Sequence, residues 1–260
     1  MKKRQLAASL WPPLAALALL AILWQLAVSL FGIASWILPS PGRIAQEAVS
    51  GFTRMQEHAG STIRLTLLGF SVGSCTGIAV ACLLHVIPGA KRALYPLLIV
   101  SQNIPMIALA PLLMIWFGFG LLPKVIVITL VCFFPVVIAT LDGFLQADPV
   151  MRSYMNMIGA TRIQIFRKLE WPGALPSLFS GLKISGTYSV MGAVIAEWLG
   201  SEKGIGVYML LARSSFRTDR VFVAIVWIVA LSLVLFGLIL LLERLLIRWK
   251  PASAANKERE

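Results

Sequence analysis

Apolar residues run along this chain in six blocks, at about 11–31, 61–84, 94–116, 120–141, 179–199 and 221–242. The blocks are continuous rather than spaced as in a core helix. A length of about twenty residues at about 1.5 Å rise each matches a hydrocarbon layer roughly 30 Å thick. The pattern predicts six membrane-crossing helices. The first block follows Met1-Lys2-Lys3-Arg4, the flank expected of a secretory signal. Its apolar run from Leu14 to Phe31 is longer than a typical signal core, and no clear small-residue cleavage site closes it, so it reads as a retained span.

The polar segments between the blocks carry their own predictions. The short turn 117–119 makes spans three and four antiparallel neighbours. In 32–60, Ser40-Pro41 has the form of an N-cap followed by proline at the first helical position. Ile44, Ala48, Val49, Phe52 and Met55 then recur at helical spacing, which predicts a short amphipathic helix on the outer membrane surface.

Composition agrees with the membrane reading. Hydrophobic residues make up 58% and charged residues 13%, with a mean hydropathy of +0.86, against roughly 45–50% and about 25% in soluble proteins. So few charges cannot cover a water-soluble surface of this size. The formal charge of +12 does not point to nucleic acid, because no basic patch is interleaved with aromatics. With the N-terminus inside, 15 of the 23 Lys and Arg residues fall in cytoplasmic segments, which predicts both termini in the cytoplasm. Cys75, Cys82 and Cys132 all lie inside apolar blocks. The first two are about 10 Å apart by helical rise, too far to bridge, so the cysteines read as packing residues with no metal-site spacing.

Within the spans, Gly69, Gly73 and Gly77 form two overlapping GxxxG units that allow close backbone approach, either within the chain or to another subunit. The third span carries Ser101-Gln102-Asn103-Ile104-Pro105 near its middle. Pro105 removes a backbone hydrogen bond and bends the helix, so Gln102, Asn103 and Pro105 belong either to a polar pathway or to interhelical hydrogen bonding. Ser185, Ser189, Gly192 and Ala196 make one small-residue face on the fifth span, lining a tight contact or a cavity. Glu197-Trp198 closes that span and is expected as a solvated interface pair.

Catalytic chemistry is hard to place. No span has an acid at its centre, His58 and His85 lie outside the spans, and neither HExxH nor GxSxG occurs. A proton-coupled transporter would need a titratable relay inside the membrane. There is no GxxxxGK[ST] loop either, so energy for active transport would come from another polypeptide.

The segment 142–178 is too structured for a linker. Asp148-Pro149 predicts an N-cap and a helix through Val150 to Ile158, with Gly159 as its stop. Thr161-Arg162-Ile163-Gln164 has capping-box spacing and restarts a helix carrying Ile163, Phe166 and Arg167. Trp171-Pro172 is expected to end it. Two short helices around a glycine, with apolar and basic side chains exposed, form a surface suited to docking a protein.

Gly159, Leu169 and Pro172 have the spacing of the "EAA" loop in the membrane-spanning permeases of ATP-binding-cassette (ABC) importers. Ile37-Leu38-Pro39-Ser40-Pro41, Ile104-Pro105 with Pro111-Leu112 and Trp116-Phe117-Gly118, and Lys203-Gly204-Ile205-Gly206 accompany it. Together the chain resembles the branch of that family that handles nitrate, sulfonates, taurine and thiamine-precursor pyrimidines. Ser153, Tyr154 and Met155 stand where the Glu-Ala-Ala of the motif would be, so the acid that would help orient the loop is missing.

The resemblance implies an all-α membrane protein with a single permease domain over 1–260, six transmembrane helices and a cytoplasmic coupling-helix loop, 148–172, between spans four and five. It implies a bacterial plasma (inner) membrane location, a homodimer in lipid, two cytoplasmic ATPase subunits that hold ATP and Mg, and an extracytoplasmic binding protein. This chain would bind no cofactor or metal itself and catalyse nothing. Tyr154, Met155, Ile158, Gly159, Ala160, Thr161, Ile163, Phe166, Arg167 and Pro172 would form the ATPase-coupling loop. Gln102, Asn103, Pro105, Ser185 and Ser189 would line the pathway. A secondary transporter or channel, or a scaffold that moves nothing, are the alternatives. For cargo, few charges in the spans and the run Gly192–Gly200 favour a thiamine-precursor pyrimidine over an aliphatic sulfonate, taurine or nitrate.

Overall fold

The computed structural model describes the backbone of residues 2–87 and 89–247, and the side chains of that range except at 2–10, 13 and 14. Among the described residues all regular structure is helical: α1 Lys2–Leu30, α2 Pro41–Ser50, α3 Phe52–Val86, α4 Ala90–Ser101, α5 Met106–Phe117, α6 Leu121–Leu145, α7 Pro149–Met157, α8 Arg162–Ile165, a π-helical turn Phe166–Glu170, α9 Trp171–Glu197, α10 Ile205–Ser214 and α11 Thr218–Leu246. Four helical stretches, Phe52–Val86, Leu121–Leu145, Arg162–Glu197 and Thr218–Leu246, are long and apolar enough to cross a membrane, and the bent pair α4–α5 makes a fifth candidate. The described apolar part of α1, Ala15–Leu30, is shorter. The terminal basic residues Lys2, Lys3, Arg4, Arg248, Lys250, Lys257 and Arg259, which weigh in the expected orientation, have their side chains outside the described residues.

Contacts at the helix ends fix the directions. The start of α3, the start of α11 and helix α10 share one cluster through Met55, Ala59, Ile205, Tyr208, Val223 and Ala224. The end of α6 and the start of α9 share another through Phe144 and Ala174, with Leu84 from the end of α3. Thus α3, α6 and α11 run one way and α9 the other. Gln25 Oε1 accepts from Gly42 N at 3.2 Å, and the Trp24 ring lies tilted 5.3 Å from that of Phe222, so α1 finishes at the α2–α10 end.

The glycine pattern explains the seam between α3 and α6. A Cβ at Gly69 would lie 2.5 Å from Ile128, at Gly73 2.7 Å from Cys132 Cβ and 2.8 Å from the Thr129 carbonyl, and at Gly77 3.0 Å from Val136. The GxxxG stripe is therefore used within the chain. Gly181 meets the Pro135 carbonyl and Ala139 in the same way, packing α9 closely on α6 beside α3. Large apolar side chains such as Leu20, Ile115, Leu233 and Leu241 stay exposed around this core, as befits a lipid-facing belt.

Several expectations are corrected. The helix begun at Ser40-Pro41 stops at Ser50; Phe52 and Met55 already belong to α3, which starts nine residues before the apolar block. The third block bends far more sharply than one proline predicts: four residues, Gln102–Pro105, separate two 12-residue arms that meet at 98°. Pro105 adopts φ −62°, ψ 115°, which no helix continues. Trp171-Pro172 does not end a helix, because the backbone widens instead. Trp171 N donates to the Phe166 carbonyl, a five-residue step that makes room for the Pro172 ring, and the chain runs on helically to Glu197.

Candidate functional site

At the end of the molecule that carries α7 and α8, the local chemistry is as the spacing predicts. Asp148 Oδ1 accepts from Val150 N at 2.8 Å and Met151 N at 3.4 Å, and Pro149 follows the cap. Gly159 has φ +76°, Gly159 N donates to Asn156 O and Ala160 N to Met155 O, a left-handed stop with both carbonyls satisfied. Thr161 and Gln164 then make both bonds of a capping box, at 2.7 and 3.4 Å.

Tyr154, Ile158, Gly159, Thr161, Ile163 and Arg167 are exposed, while Met155, Ala160 and Pro172 are half-buried. Phe166 turns inward against Phe144 and Trp171. α7 buries no residue of its own. A projecting helix with exposed Val150, Tyr154, Met157 and Ile158 at its surface offers apolar anchors to another protein.

Behind the loop lies an arrangement that the sequence reading did not assemble. Glu170 is 8% exposed, and its carboxylate takes Arg152 Nη2 at 2.5 Å and His85 Nε2 at 2.7 Å. His85 stacks on Phe144 with ring centroids 4.5 Å apart. These side chains border a cleft of about 360 Å³ that Asn156, Arg162 and Ile163 also line. One signal was available: Glu170 is the sole acid between Asp148 and Glu197, among several basic residues.

At the opposite end Glu197 is also buried, at 1% exposure, and is not the solvated residue expected of it. Thr62 Oγ1 and Gly206 N donate to it at 2.7 and 2.8 Å, and Ile205 N donates to Thr62 Oγ1 at 2.8 Å. An acid at a span end gains more from two aligned donors nearby than from the interface. At the same end, Glu47 of α2 accepts from Arg217 Nη2 at 2.7 Å and Arg220 Nε at 2.8 Å, while Arg217 also pairs with Asp219. The Asp219 carboxylate holds the Arg217 guanidinium above its usual range.

The five pathway candidates do not share one surface in the single chain. Gln102, Asn103 and Pro105 are exposed at the α4–α5 break, where Asn103 Nδ2 donates back to Ile99 O at 2.7 Å. Ser185 and Ser189 are fully buried. Ser185 Oγ donates to Cys132 O of α6 and Ser189 Oγ to Gly186 O, both at 2.7 Å. The exposed face of α9 carries Ile184, Tyr188 and Met191 instead. Among the described residues no group of three His, Cys, Asp or Glu side chains could hold a metal.

Alternating apolar helices packed on a glycine seam, with a capped helix pair projecting at one end, define a multi-pass membrane protein built to engage a partner. Comparison with known proteins makes the class specific. Residues 73–248 match the family described as binding-protein-dependent transport system inner membrane component, and the chain belongs to that family.

Relatives include a riboflavin transport system permease protein of Chloroflexus aurantiacus, 36% identical over 93% of this chain and 92% of the relative. A formylaminopyrimidine transport permease protein of Halalkalibacterium halodurans is 32% identical over 89% and 93%. A putative aliphatic sulfonates transport permease protein of Bacillus subtilis is 29% identical over 90% and 85%. The fold is also that of a chain in the crystal structure of an amino acid ABC transporter with histidines, with a TM-score of 0.60 at 18% identity, covering 72% of this chain and 91% of that one. The chain is thus an ABC importer permease subunit.

Proposed function

We propose that this permease works as a homodimer in a bacterial inner membrane, crossing it six times with both termini in the cytoplasm. Two cytoplasmic ATPase subunits, which hold the ATP and Mg, dock on α7 and α8, and a binding protein delivers solute to the α2–α10 end. The observation that carries the reading is the capped, glycine-broken helix pair, which presents Tyr154, Ile158, Ile163 and Arg167 outward while burying none of α7. ATP-driven closure of the ATPases moves the two loops together and tilts the spans between inward- and outward-open states. Gln102, Asn103 and Pro105 lie on the pathway, and Ser185 and Ser189 belong to its wall, Ser185 by fixing α9 against α6. Co-expression with its ATPase and binding protein tests this: the three should purify together from detergent, and isolation of the permease alone would sink the importer reading.

For cargo, the reading is a thiamine-precursor pyrimidine of the formylaminopyrimidine or hydroxymethylpyrimidine type. Spans with few charges suit a flat, weakly charged heterocycle that needs only a few hydrogen bonds, and the relative named for formylaminopyrimidine transport supports it. The sulfonate relative supports a second reading, an aliphatic sulfonate or taurine. Calorimetry on the cognate binding protein separates them: binding of an aminopyrimidine without response to a sulfonate is expected, and the reverse overturns the choice while leaving transport intact.

A further inference from the structure

The motif position that would supply an acid to the coupling loop is Ser153, and its hydroxyl is used inside α7, donating to Pro149 O at 2.9 Å. The neighbouring Arg152 points the other way, into the body of the protein, and meets Glu170. Among the described residues this is the one side-chain hydrogen bond that α7 makes to another element, and α7 has no buried residue to hold it otherwise. Glu170 in turn sits at the last position of the π-helical turn, one residue before α9 begins, and its second oxygen takes His85 near the end of α3. His85 lies against Phe144 at the end of α6.

One nearly buried carboxylate therefore touches the projecting helix on one side and the spans α3 and α9 on the other. A hydrogen-bonded pair with a charged partner resists displacement more than a neutral contact does. The π turn beneath it is a local irregularity of the kind found where helices must adjust. Accepting the docking role of α7 and α8 given above, we propose that Glu170 is the positioning residue of the coupling step. It takes the place of the acid missing at 153, and the Arg152–Glu170–His85 bridge transmits movement of the docked α7 to α3 and α9. Displacement of α7 pulls on Arg152, Arg152 on Glu170, and Glu170 on both spans at once. Without the bridge α7 still docks, because its outward face is unaltered, but its movement is no longer passed on.

The test uses the whole complex of permease, ATPase and binding protein reconstituted in liposomes. The variants are Glu170→Gln, Arg152→Ala and the double variant, with two readouts: ATPase retained on co-purification, and solute moved per ATP hydrolysed. The expected result is full ATPase retention in all three variants with solute per ATP lowered about tenfold, a coupling loss of the usual size for linked sites. The double variant should be no worse than either single one, since both remove the same contact. Unchanged solute per ATP in Arg152→Ala and Glu170→Gln overturns the proposal. So does loss of ATPase retention in folded Arg152→Ala, which would make the bridge part of docking instead. If Glu170→Gln fails to fold, Arg152→Ala, altering a half-exposed side chain, decides alone. Failure of the unaltered permease to retain ATPase strikes the docking reading and is separate from all of these.

Discussion

Thr62 Oγ1 donates to the Glu197 carboxylate at 2.7 Å, joining two helices whose contact residues are 135 positions apart. The same carboxylate accepts from Gly206 N, and Thr62 accepts from Ile205 N, so the turn into α10 is locked to α3 and α9 together. Glu197→Ala leaves the buried Gly206 N–H without its acceptor and the Thr62 hydroxyl with only the longer 3.3 Å bond to His58 O to donate to, at about 1–3 kcal/mol. The variant should melt at lower temperature in detergent, with Glu197→Gln intermediate. Equal melting of all three would show that the lock adds nothing to stability.

The helix α3 offers the same substitution in two environments. Gly60→Ala meets nothing within 4 Å and replaces a poor helix former, so it should stabilise by about 0.5–1 kcal/mol. Gly73→Ala puts a methyl 2.8 Å from the Thr129 carbonyl and should cost about 1–3 kcal/mol by forcing α3 off α6. Thermal unfolding of the two variants should therefore shift in opposite directions.

Gly159→Val places a β-branched residue at φ +76°, where strain is about 1–3 kcal/mol, with no steric neighbour to complicate the reading. Membrane insertion should be unchanged, since no apolar span is touched. Co-purified ATPase should be lost. Retention of the ATPase with normal solute-stimulated hydrolysis would remove this loop from the mechanism.

Glu47→Ala deletes the acceptor shared by Arg217 and Arg220 and leaves α2 held to α11 by the Arg43–Asp219 pair and by Ile44 and Ala48. Both arginines are partly solvated, so the loss should be about 1 kcal/mol. Raising salt should narrow the difference in melting temperature between variant and parent. A difference insensitive to salt would point to packing as the cause.

Local rules determined much of this protein from sequence alone. Continuous apolar blocks set the class because backbone polar groups in lipid must be satisfied within helices. Asp148, Gly159 and the Thr161–Gln164 pair dictated the shape of the α7–α8 loop, since caps act over three or four residues and need no distant partner. The glycine stripe at 69, 73 and 77 announced a close helix contact but not its identity; only the packed structure shows that α6 fills it.

Tertiary structure alone decided where the charges go. Glu197 reads as a solvated boundary acid in sequence and Glu170 draws no reading at all, yet each ends nearly buried because donors from other helices converge on it: Arg152 and His85 on Glu170, Thr62 and the Gly206 backbone on Glu197. The sense of the Ser185–Ser189 face was likewise settled by α6, whose Cys132 carbonyl takes up Ser185. The break at Gln102–Pro105 was foreseeable as a bend, but a 98° turn depends on how two short arms pack, not on proline itself. Hydrophobic length and capping are properties of neighbouring residues, whereas an ion pair is a property of the fold, and sequence spacing does not encode which far ends will meet.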